Sequence, residues 1–461
     1  MELTSNFSFR SINPATEQVI DNYEETTYNE AINAVETARQ SFKVWSQTSF
    51  AERASILHKT AFILRSKKDE FARLMAIEMG KPFIQALAET EKCAWVCEYY
   101  AQNGEKFLSD ELIKTDATKS YVTLRPTGAV LAIMPWNFPF WQVIRFAAPT
   151  LMAGNVCLLK HAPNVTGCAL AIEKMFAEAG FPNGSFQVLK LQPENIAKLI
   201  EHPFISGVTL TGSTRAGRSV AELAGRHLKK TVMELGGSDP YVILEDADME
   251  KTVASCVTGR MINTGQSCIA AKRYIVIESV RKQFEEMLVE KFNKITFGDP
   301  LAGNFDIGPM ARKDLRDQLH TQVEGSISRG TKLLCGGRIP DEKGYFYPAT
   351  ILTGVTKGMP AYSEETFGPV ASIISAKDEK EAIHIANDTS FGLGAAIFTR
   401  DNEMGEYIAK HLLHAGSCFV NAFVKSDPRL PFGGSKMSGY GRELSMFGIR
   451  EFVNIKTVYV A

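Results

Sequence analysis

Apolar and polar positions follow two different periodicities along the chain. Residues 29–112 carry apolar residues at helical spacing, with Ala-rich and charged faces between them, and this pattern predicts a layer of amphipathic helices. Beyond residue 127 the pattern changes to short apolar runs separated by helical stretches. Strands that alternate with helices form right-handed βαβ units and a parallel sheet covered on both faces. The sequence therefore predicts an α/β fold preceded by a helical layer.

The predicted strands fall into two groups, which indicate two successive α/β units. The first group is Ala129–Ile133, Val156–Lys160, Phe186–Leu189 and Gly207–Leu210, with a helix near 166–179. The second group is Tyr241–Leu244, Arg273–Ile277, Ala371–Ile374 and Ala395–Phe398, with a helix from about 280 to 293. A last strand, Phe452–Val460, ends the chain and is expected to pair outside its own domain.

The apolar stretch Val130–Leu159 is long enough to span a membrane. Three prolines and Arg145 interrupt it, and a spanning helix would have to accommodate the charge and the breaks in its backbone. A buried strand, a turn and a core helix are therefore predicted instead.

Composition and charge restrict the class of protein. A chain of 461 residues exceeds one ordinary core, so two or three domains are expected. The formal net charge is −1, without a long run of either sign, which is not the pattern of a protein that binds nucleic acid or a membrane surface. The partner is expected to be a small molecule.

The cysteines and the N-terminus indicate a cytoplasmic location. The chain does not begin with a basic region followed by an apolar one, so no secretory signal is predicted. Eight cysteines are too few for a disulfide scaffold in a chain of this length. Cys93 and Cys97 would share a helix face, but no second pair of ligands accompanies them, so no metal site is predicted.

Cys268 and Glu234 are the strongest candidates for catalysis, because each lies in a glycine-marked turn. Such turns are expected to present a side chain rather than bury it. A thiol and a carboxylate indicate a nucleophile and its base. The alternatives are an inert core cysteine and a helix-capping or paired carboxylate.

The turn after the predicted strand ending at Leu210 is a candidate anion site. Gly212 and Ser213 open what reads as a helix, and backbone N–H groups at such a position bind pyrophosphate. An ordinary helix cap explains the same residues.

Several further motifs stand in a fixed order along the chain. They are Pro135–Pro139, Leu158–Lys160, Glu364–Pro369, Pro431–Gly434 and Gly441–Glu443. Together with Glu234 and Cys268 they closely resemble the aldehyde dehydrogenase superfamily, from Asn13–Thr16 to the C-terminal strand. The resemblance is closest to its bacterial NAD(P)-dependent succinate-semialdehyde branch.

This resemblance implies three parts. A Rossmann-like cofactor-binding domain would comprise 1–109 and 127–233, and a catalytic α/β domain would comprise 234–438. A small β flap would comprise 110–126 and 439–461 and would join a homodimer, or a dimer of dimers, by strand addition.

The resemblance also implies a mechanism. Cys268 would attack the aldehyde carbon, and the Asn137 side-chain amide with the Cys268 backbone N–H would hold the oxyanion. After hydride transfer Glu234 would activate the water that hydrolyses the thioester. Ala270 replaces a second cysteine that forms an inhibitory disulfide in some relatives, so that redox switch is expected to be absent. Phe146 replaces a lysine of some relatives, so a proton relay through Glu443 is expected to be incomplete.

Cofactor contacts carry over by the same resemblance. The residues implied are Trp136, Lys160, Gly212, Ser213, Leu235, Glu365 and Phe367. Relatives that prefer NAD often have a glutamate three residues after the lysine, and Pro163 stands there. Because a carboxylate would repel a 2′-phosphate, Pro163 predicts that NADP is accepted as well as NAD, and the sequence leaves open which of the two is preferred.

Arg145 and Ser426 stand where succinate-semialdehyde dehydrogenases bind the distal carboxylate. Ile262 replaces a second arginine of those enzymes, and Arg260 and Lys425 are the candidates to substitute for it. A structural ion pair is the alternative role of Arg145. The predicted function is oxidation of succinate semialdehyde to succinate. Another short semialdehyde or aliphatic aldehyde, a thiol hydrolase, and a non-catalytic protein that retains the fold are the alternatives.

Overall fold

The computed structural model describes residues 9–461. Residues 1–8 lie outside the described residues. Part of the predicted cofactor-binding domain falls on them, and so does part of the expectation about a secretory signal. The described helices are α1 (Tyr28–Trp45), α2 (Phe50–Ser66), α3 (Lys68–Met79), α4 (Phe83–Leu108), α5 (Trp141–Met152), α6 (Thr166–Ala179), α7 (Pro193–Glu201), α8 (Thr214–Arg226), α9 (Met249–Met261), α10 (Glu278–Phe292), α11 (Lys313–Ile327), α12 (Pro360–Ser363), α13 (Glu379–Asn387), α14 (Asn402–His411) and α15 (Ser445–Ile449).

The strands form two large sheets and two small ones. They are β1 (Phe9–Ile12), β2 (Val19–Tyr23), β3 (Glu111–Leu112), β4 (Lys119–Pro126), β5 (Ala129–Ile133), β6 (Val156–Lys160), β7 (Phe186–Val188), β8 (Ile205–Thr211), β9 (Lys230–Glu234), β10 (Asp239–Ile243), β11 (Ala271–Ile277), β12 (Lys332–Cys335), β13 (Thr350–Thr353), β14 (Val370–Ala376), β15 (Gly394–Phe398), β16 (Ser417–Val420), β17 (Gly439–Tyr440) and β18 (Val453–Val460).

The predicted helical layer is α1–α4. Thr27 and Ser49 cap the first two helices, and in each case a glutamate three residues later, Glu30 or Glu52, reciprocates. Such capping boxes satisfy backbone donors that the first helical turn leaves open. Helix α4 packs against α2, α3 and α5, so the layer is continuous with the core that surrounds the first large sheet.

The first large sheet has the order β17-β9-β8-β5-β6-β7. The five strands from β9 to β7 in this order are parallel, and β17 pairs antiparallel with β9. The second large sheet has the order β12-β13-β14-β11-β10-β15-β16 and is parallel except for β12. Both are covered by helices, as expected of parallel sheets. The predicted α/β fold is confirmed.

The third sheet is antiparallel, with the order β18-β4-β3. It joins 111–126 to the C-terminal strand, which pairs with β4 along eight residues. The proposed flap assignment places residues 439–440 here, whereas these two residues pair with β9 in the first large sheet. The division of the chain into domains otherwise stays a prediction.

The long apolar stretch is a strand, a turn and a helix followed by a second strand, as predicted. It comprises β5, α5 and β6, and α5 is buried on every face. Among residues 9–461 no helix is both long enough and apolar enough to cross a bilayer.

Candidate active site

Cys268 lies where two cavities meet. A cleft of about 490 Å³ approaches it along the ends of the first sheet, and a cavity of about 280 Å³ approaches it beside α4 and α5. We refer to them as the cofactor cleft and the substrate cavity, after the ligands that the sequence resemblance implies for the residues that line them. Cys268 lines both of them, and its side chain is only partly buried.

The loop before Cys268 has an unusual backbone. Asn263, Thr264 and Gly265 have φ values of 57°, 57° and 70°, in the left-handed region that favours glycine. A Cβ on Gly265 would lie 2.3 Å from the carbonyl oxygen of Gly368, so no larger residue fits there. Glycine and asparagine tolerate this region, whereas the β-branched Thr264 is strained in it, and such strain is typical of functional sites.

Side chains from distant elements support this loop. The Asn263 amide donates to the backbone carbonyls of Asn137 at 2.6 Å and Gln266 at 3.0 Å. Arg260 is fully buried and donates to the carbonyls of Gly265 at 2.5 Å and Ala271 at 3.3 Å. Arg260 lines neither cavity. Its role is therefore to support the loop, and it is not placed to substitute for the missing substrate arginine.

Lys272, which the sequence reasoning missed, lies beneath Cys268, the predicted nucleophile. It is fully buried on β11, and its Nζ donates to the carbonyls of Cys268 at 2.7 Å and Ser267 at 3.0 Å. The same Nζ lies 3.6 Å from a carboxylate oxygen of Glu365. Lys272 and Arg273 stand together at the start of the buried strand β11, and this pair is the sequence signal that could have identified Lys272, because buried cations need partners.

Donors suited to an oxyanion lie beside the thiol. The Asn137 amide nitrogen donates one hydrogen bond, to the Gln266 carbonyl at 3.0 Å, and its second hydrogen remains for a ligand. Within the described residues the backbone N–H of Cys268 donates to no protein acceptor. These are the two groups that the sequence reasoning assigned to the oxyanion.

Burial raises the pKa of the Cys268 thiol to about 12, while the positive charges of Arg145 and Lys272 act in the opposite direction. Burial thus disfavours the thiolate of Cys268, and the two buried cations favour it.

Glu234 ends β9 and is buried, with 2% of its surface exposed. The expectation that its turn presents the side chain is therefore wrong. Both carboxylate oxygens lack a hydrogen-bond partner, and Glu234 lines neither cavity. It packs against Gly433, where the close approach leaves no room for a Cβ. Burial, and then the neighbouring Glu443, raise the pKa of Glu234 well above its ordinary value.

Glu443 forms a buried ion pair with Arg145. Burial raises the pKa of Glu443, and Arg145 opposes the shift. Arg145 also stacks over Phe432, 4.8 Å from the ring centre, and lines the substrate cavity. Arg145 thus forms the structural ion pair and also lines the substrate cavity.

Most of the predicted cofactor residues lie together in the cofactor cleft. Those that line it are Trp136, Gly212, Ser213, Leu235, Glu365 and Phe367. Phe367 meets Trp136 edge to face at 5.7 Å. Ser213 is the N-cap of α8 and accepts from the Ala216 N–H at 3.3 Å. The predicted helix cap is therefore present, and the same turn faces the cleft.

Lys160 and Pro163 lie beside the cleft rather than in its lining. Lys160 ends β6 and pairs with Ile133, one strand away from the cleft residues that follow β5. Burial lowers the pKa of Lys160. A short 3₁₀ helix, Pro163–Val165, follows β6. Pro163 is its first residue and is partly exposed.

Ser426 and Arg145 both line the substrate cavity, as the resemblance implies. The Ser426 hydroxyl accepts from Nζ of Lys92 at 2.7 Å. Lys92 belongs to α4, and the sequence reasoning did not identify it. The sequence around Lys92 does not indicate this role, because its hydrogen-bond partner, Ser426, lies 334 positions away. Lys425 also lines the substrate cavity and is exposed to solvent.

The chain is similar to known proteins over nearly its whole length. The model of the Aldehyde dehydrogenase family matches residues 2–458. A probable NADP(+) succinate-semialdehyde dehydrogenase of Synechocystis sp. is 48% identical over 98% of this chain and 99% of its own. The NADP(+) succinate-semialdehyde dehydrogenase 1 of Mycobacterium tuberculosis is 45% identical over the same shares. The crystal structure of the Streptococcus pyogenes succinic semialdehyde dehydrogenase with NADP+ superposes with a TM-score of 0.96 at 37% identity, covering 98% of this chain and all of that one.

Proposed function

The chain belongs to the aldehyde dehydrogenase family, and on that premise we propose that it oxidises succinate semialdehyde to succinate with NADP as the hydride acceptor. One observation carries the proposal: the thiol of Cys268 lines both the cleft that contains the Gly212–Ser213 turn and a cavity that contains basic groups. The oxidised carbon has to meet both the nucleophile and the hydride acceptor, and only a shared wall permits this.

The cofactor cleft fits a dinucleotide. A Cβ on Gly212 would contact only Leu210, at 3.6 Å, so the space beside Gly212 is available to a ligand. The N-terminus of α8 follows directly, and such a terminus binds phosphate through its free N–H groups. Gly212 and Ser213 therefore hold the pyrophosphate, while Glu365 holds the ribose next to the nicotinamide. Bound NADP supplies the acceptor for the hydride that leaves the substrate carbon.

The preference for the phosphorylated cofactor rests on Pro163. Lys160 binds the adenosine ribose and its 2′-phosphate, and a neutral residue three positions later leaves that phosphate unopposed. Curated relatives at 45–48% identity are named as NADP(+) enzymes, in agreement with this reading. NAD is the weaker acceptor.

The first chemical step belongs to Cys268. Its sulfur adds to the aldehyde carbon, and the thiol proton passes to solvent in the cavity as the carbonyl oxygen becomes an oxyanion. Asn137 and the Cys268 N–H stabilise that oxyanion, and losing one such donor typically lowers the rate by about 100- to 1,000-fold. Departure of hydride then leaves a thioester on Cys268.

The second chemical step belongs to Glu234. Its carboxylate removes a proton from water, which attacks the thioester and releases succinate and the thiol. Since Glu234 lines neither cavity, its side chain has to rotate toward Cys268 for this step. Its two unpartnered oxygens leave it free of bonds that would oppose the rotation.

The assembly is proposed to be a homodimer or a dimer of dimers. Strand β18 is an edge strand of the three-stranded sheet, and exposed edges pair with other chains. The cytoplasm is the proposed location, because eight free thiols suit a reducing compartment. Fractionation of the source cell tests the location.

A rate panel tests the proposed function. Formation of reduced cofactor is measured with succinate semialdehyde, glutarate semialdehyde and butanal, each with NADP and NAD. The expected result is the highest kcat/KM with succinate semialdehyde and NADP, and loss of activity in Cys268→Ala. Equal kcat/KM for charged and uncharged aldehydes would contradict the proposal that succinate semialdehyde is the substrate. Ester hydrolysis without dependence on nicotinamide would favour a thiol hydrolase.

A further inference from the structure

The charges that line the substrate cavity are mostly compensated. Lys81 and Glu89 form a fully buried ion pair, and the Glu89 carboxylate also accepts from two backbone N–H groups at the start of α5. Arg145 is paired with Glu443. A paired cation in a low-dielectric site attracts a further anion much less than a free one does. These two pairs therefore supply little net charge to a ligand.

Lys92 is the exception inside the cavity. Within residues 9–461 no carboxylate oxygen lies within 4.0 Å of its ammonium group. Its Nζ instead donates to Ser426 at 2.7 Å and lies 4.3 Å from the centre of the Trp141 ring. Lys425 is also without a carboxylate partner there, but it is exposed, and solvent screens its charge.

Burial leaves the positive charge of Lys92 poorly compensated. Burial lowers the pKa of Lys92 to about 8, and the positive charge of Arg145 acts in the same direction. Cys93, Glu89 and Asp427 oppose the shift more weakly. An anion that enters the cavity would supply the missing counter-charge.

We propose that Lys92 binds the distal carboxylate of the substrate and is the residue that makes the cavity select an ω-carboxylated aldehyde. This inference rests on the proposed function. The Ser426 hydroxyl already accepts from Lys92, so its own hydrogen is free to donate to the same carboxylate. Lys92 and Ser426 thus form one two-point site, and Arg145 acts beside it as a residue held by Glu443.

The test compares two aldehydes that differ in the carboxylate. Succinate semialdehyde and butanal have the same four-carbon chain, and each is measured with NADP in wild type, Lys92→Met and Lys92→Arg. Lys106→Met is the matched control, since Lys106 is an exposed lysine at the other end of α4. The expected result in Lys92→Met is a rise of about 10- to 100-fold in KM for succinate semialdehyde, the loss typical of one charged hydrogen bond. Its kcat and the kcat/KM for butanal stay close to wild type.

The pH dependence gives a second readout. Lys92 loses its proton as pH rises through about 8, so KM for succinate semialdehyde rises above that pH while KM for butanal does not. In Lys92→Arg this rise disappears, because a guanidinium keeps its proton.

The outcomes separate the two proposals. If wild type does not prefer succinate semialdehyde to butanal, the proposed function fails and Lys92 loses its assigned ligand. If wild type has the preference and Lys92→Met keeps it, only the assignment of Lys92 fails. An equal loss with both aldehydes would show that Lys92 supports the fold of the cavity, and this too would overturn the assignment.

Discussion

Nζ of Lys272 donates a hydrogen bond of 2.7 Å to the backbone carbonyl of Cys268. The same ammonium lies 3.6 Å from Glu365, which lines the cofactor cleft and accepts from the Gly237 N–H at 3.0 Å. A single buried cation thereby joins the proposed nucleophile, Cys268, to a residue proposed to hold the nicotinamide ribose. Its charge also opposes the effect of burial on the pKa of the thiol.

Replacing Lys272 with methionine should make Cys268 less reactive. Removing the cation raises the pKa of the thiol further, and each unit lowers the thiolate fraction at neutral pH about tenfold. The measurement is the rate at which iodoacetamide labels the Cys268 peptide across a pH series, by mass spectrometry. Lys282→Met is the control, since Lys282 is exposed and faces only Glu286. An unchanged labelling profile in Lys272→Met would contradict the assignment.

Replacing Glu234 with glutamine should stop the reaction at the thioester. The expected signature is a burst of reduced cofactor equal to the number of sites, followed by a steady state lowered by about 100-fold or more. In wild type the deacylation rate should rise with pH in a range above the ordinary pKa of a glutamate. The pKa of Glu234 is raised, so its carboxylate is lost as a base when pH falls through that raised value. Rapid-mixing absorbance measures both, and a burst that is absent in the variant would contradict this role.

Replacing Pro163 with glutamate should shift the enzyme from NADP toward NAD. A carboxylate near the 2′-phosphate repels it, and we expect kcat/KM for NADP to fall about tenfold or more relative to NAD. Pro193→Glu is the matched control, because Pro193 also begins a helix and is exposed. If the two variants have the same cofactor ratio, Pro163 does not set the preference.

Eight strands of the two large sheets were predictable because buried parallel strands are continuous apolar runs in the sequence, whereas the parallel strands β9, β13 and β16 were not predicted. The bounds of Ala129–Ile133 and Val156–Lys160 agree with the structure residue by residue. Lys92 was not predictable, since its role depends on Ser426 at the far end of the chain. The burial of Glu234 was also missed, because a Gly-Gly pair indicates a turn but not what packs over it.

The three-stranded sheet offers a test of the proposed assembly. Ile455 on β18 is 66% exposed, and a lysine there would place a charge in the proposed contact between copies. We expect Ile455→Lys to lower the mass measured by light scattering toward that of a single chain. Val44→Lys is the matched control, because Val44 is 64% exposed on α1. An unchanged mass in Ile455→Lys would place the contact elsewhere.

The ion pair between Arg145 and Glu443 allows the structural role of Arg145 to be separated from any role in binding. Arg145→Met leaves the Glu443 carboxylate buried and unpaired beside Glu234, and breaking a buried pair in this way typically destabilises a protein by about 3–5 kcal/mol. Adding Glu443→Gln removes the unpaired charge, so the double variant should lose less stability than Arg145→Met alone. Urea unfolding gives the free energies, and a coupling of about 1–3 kcal/mol between the two positions is expected.

The double variant then shows what Arg145 does for the substrate. Because Lys92 and Ser426 remain, its KM for succinate semialdehyde should stay within a few-fold of Glu443→Gln. A much larger rise, with KM for butanal unchanged, would show that Arg145 itself holds the carboxylate. The guanidinium of Arg145 would then bind both Glu443 and the substrate carboxylate, and Lys92 would contribute less to substrate binding than Arg145 does. In the unfolding experiment, strictly additive losses of free energy in the two single variants and the double variant would show that Arg145 and Glu443 are not coupled.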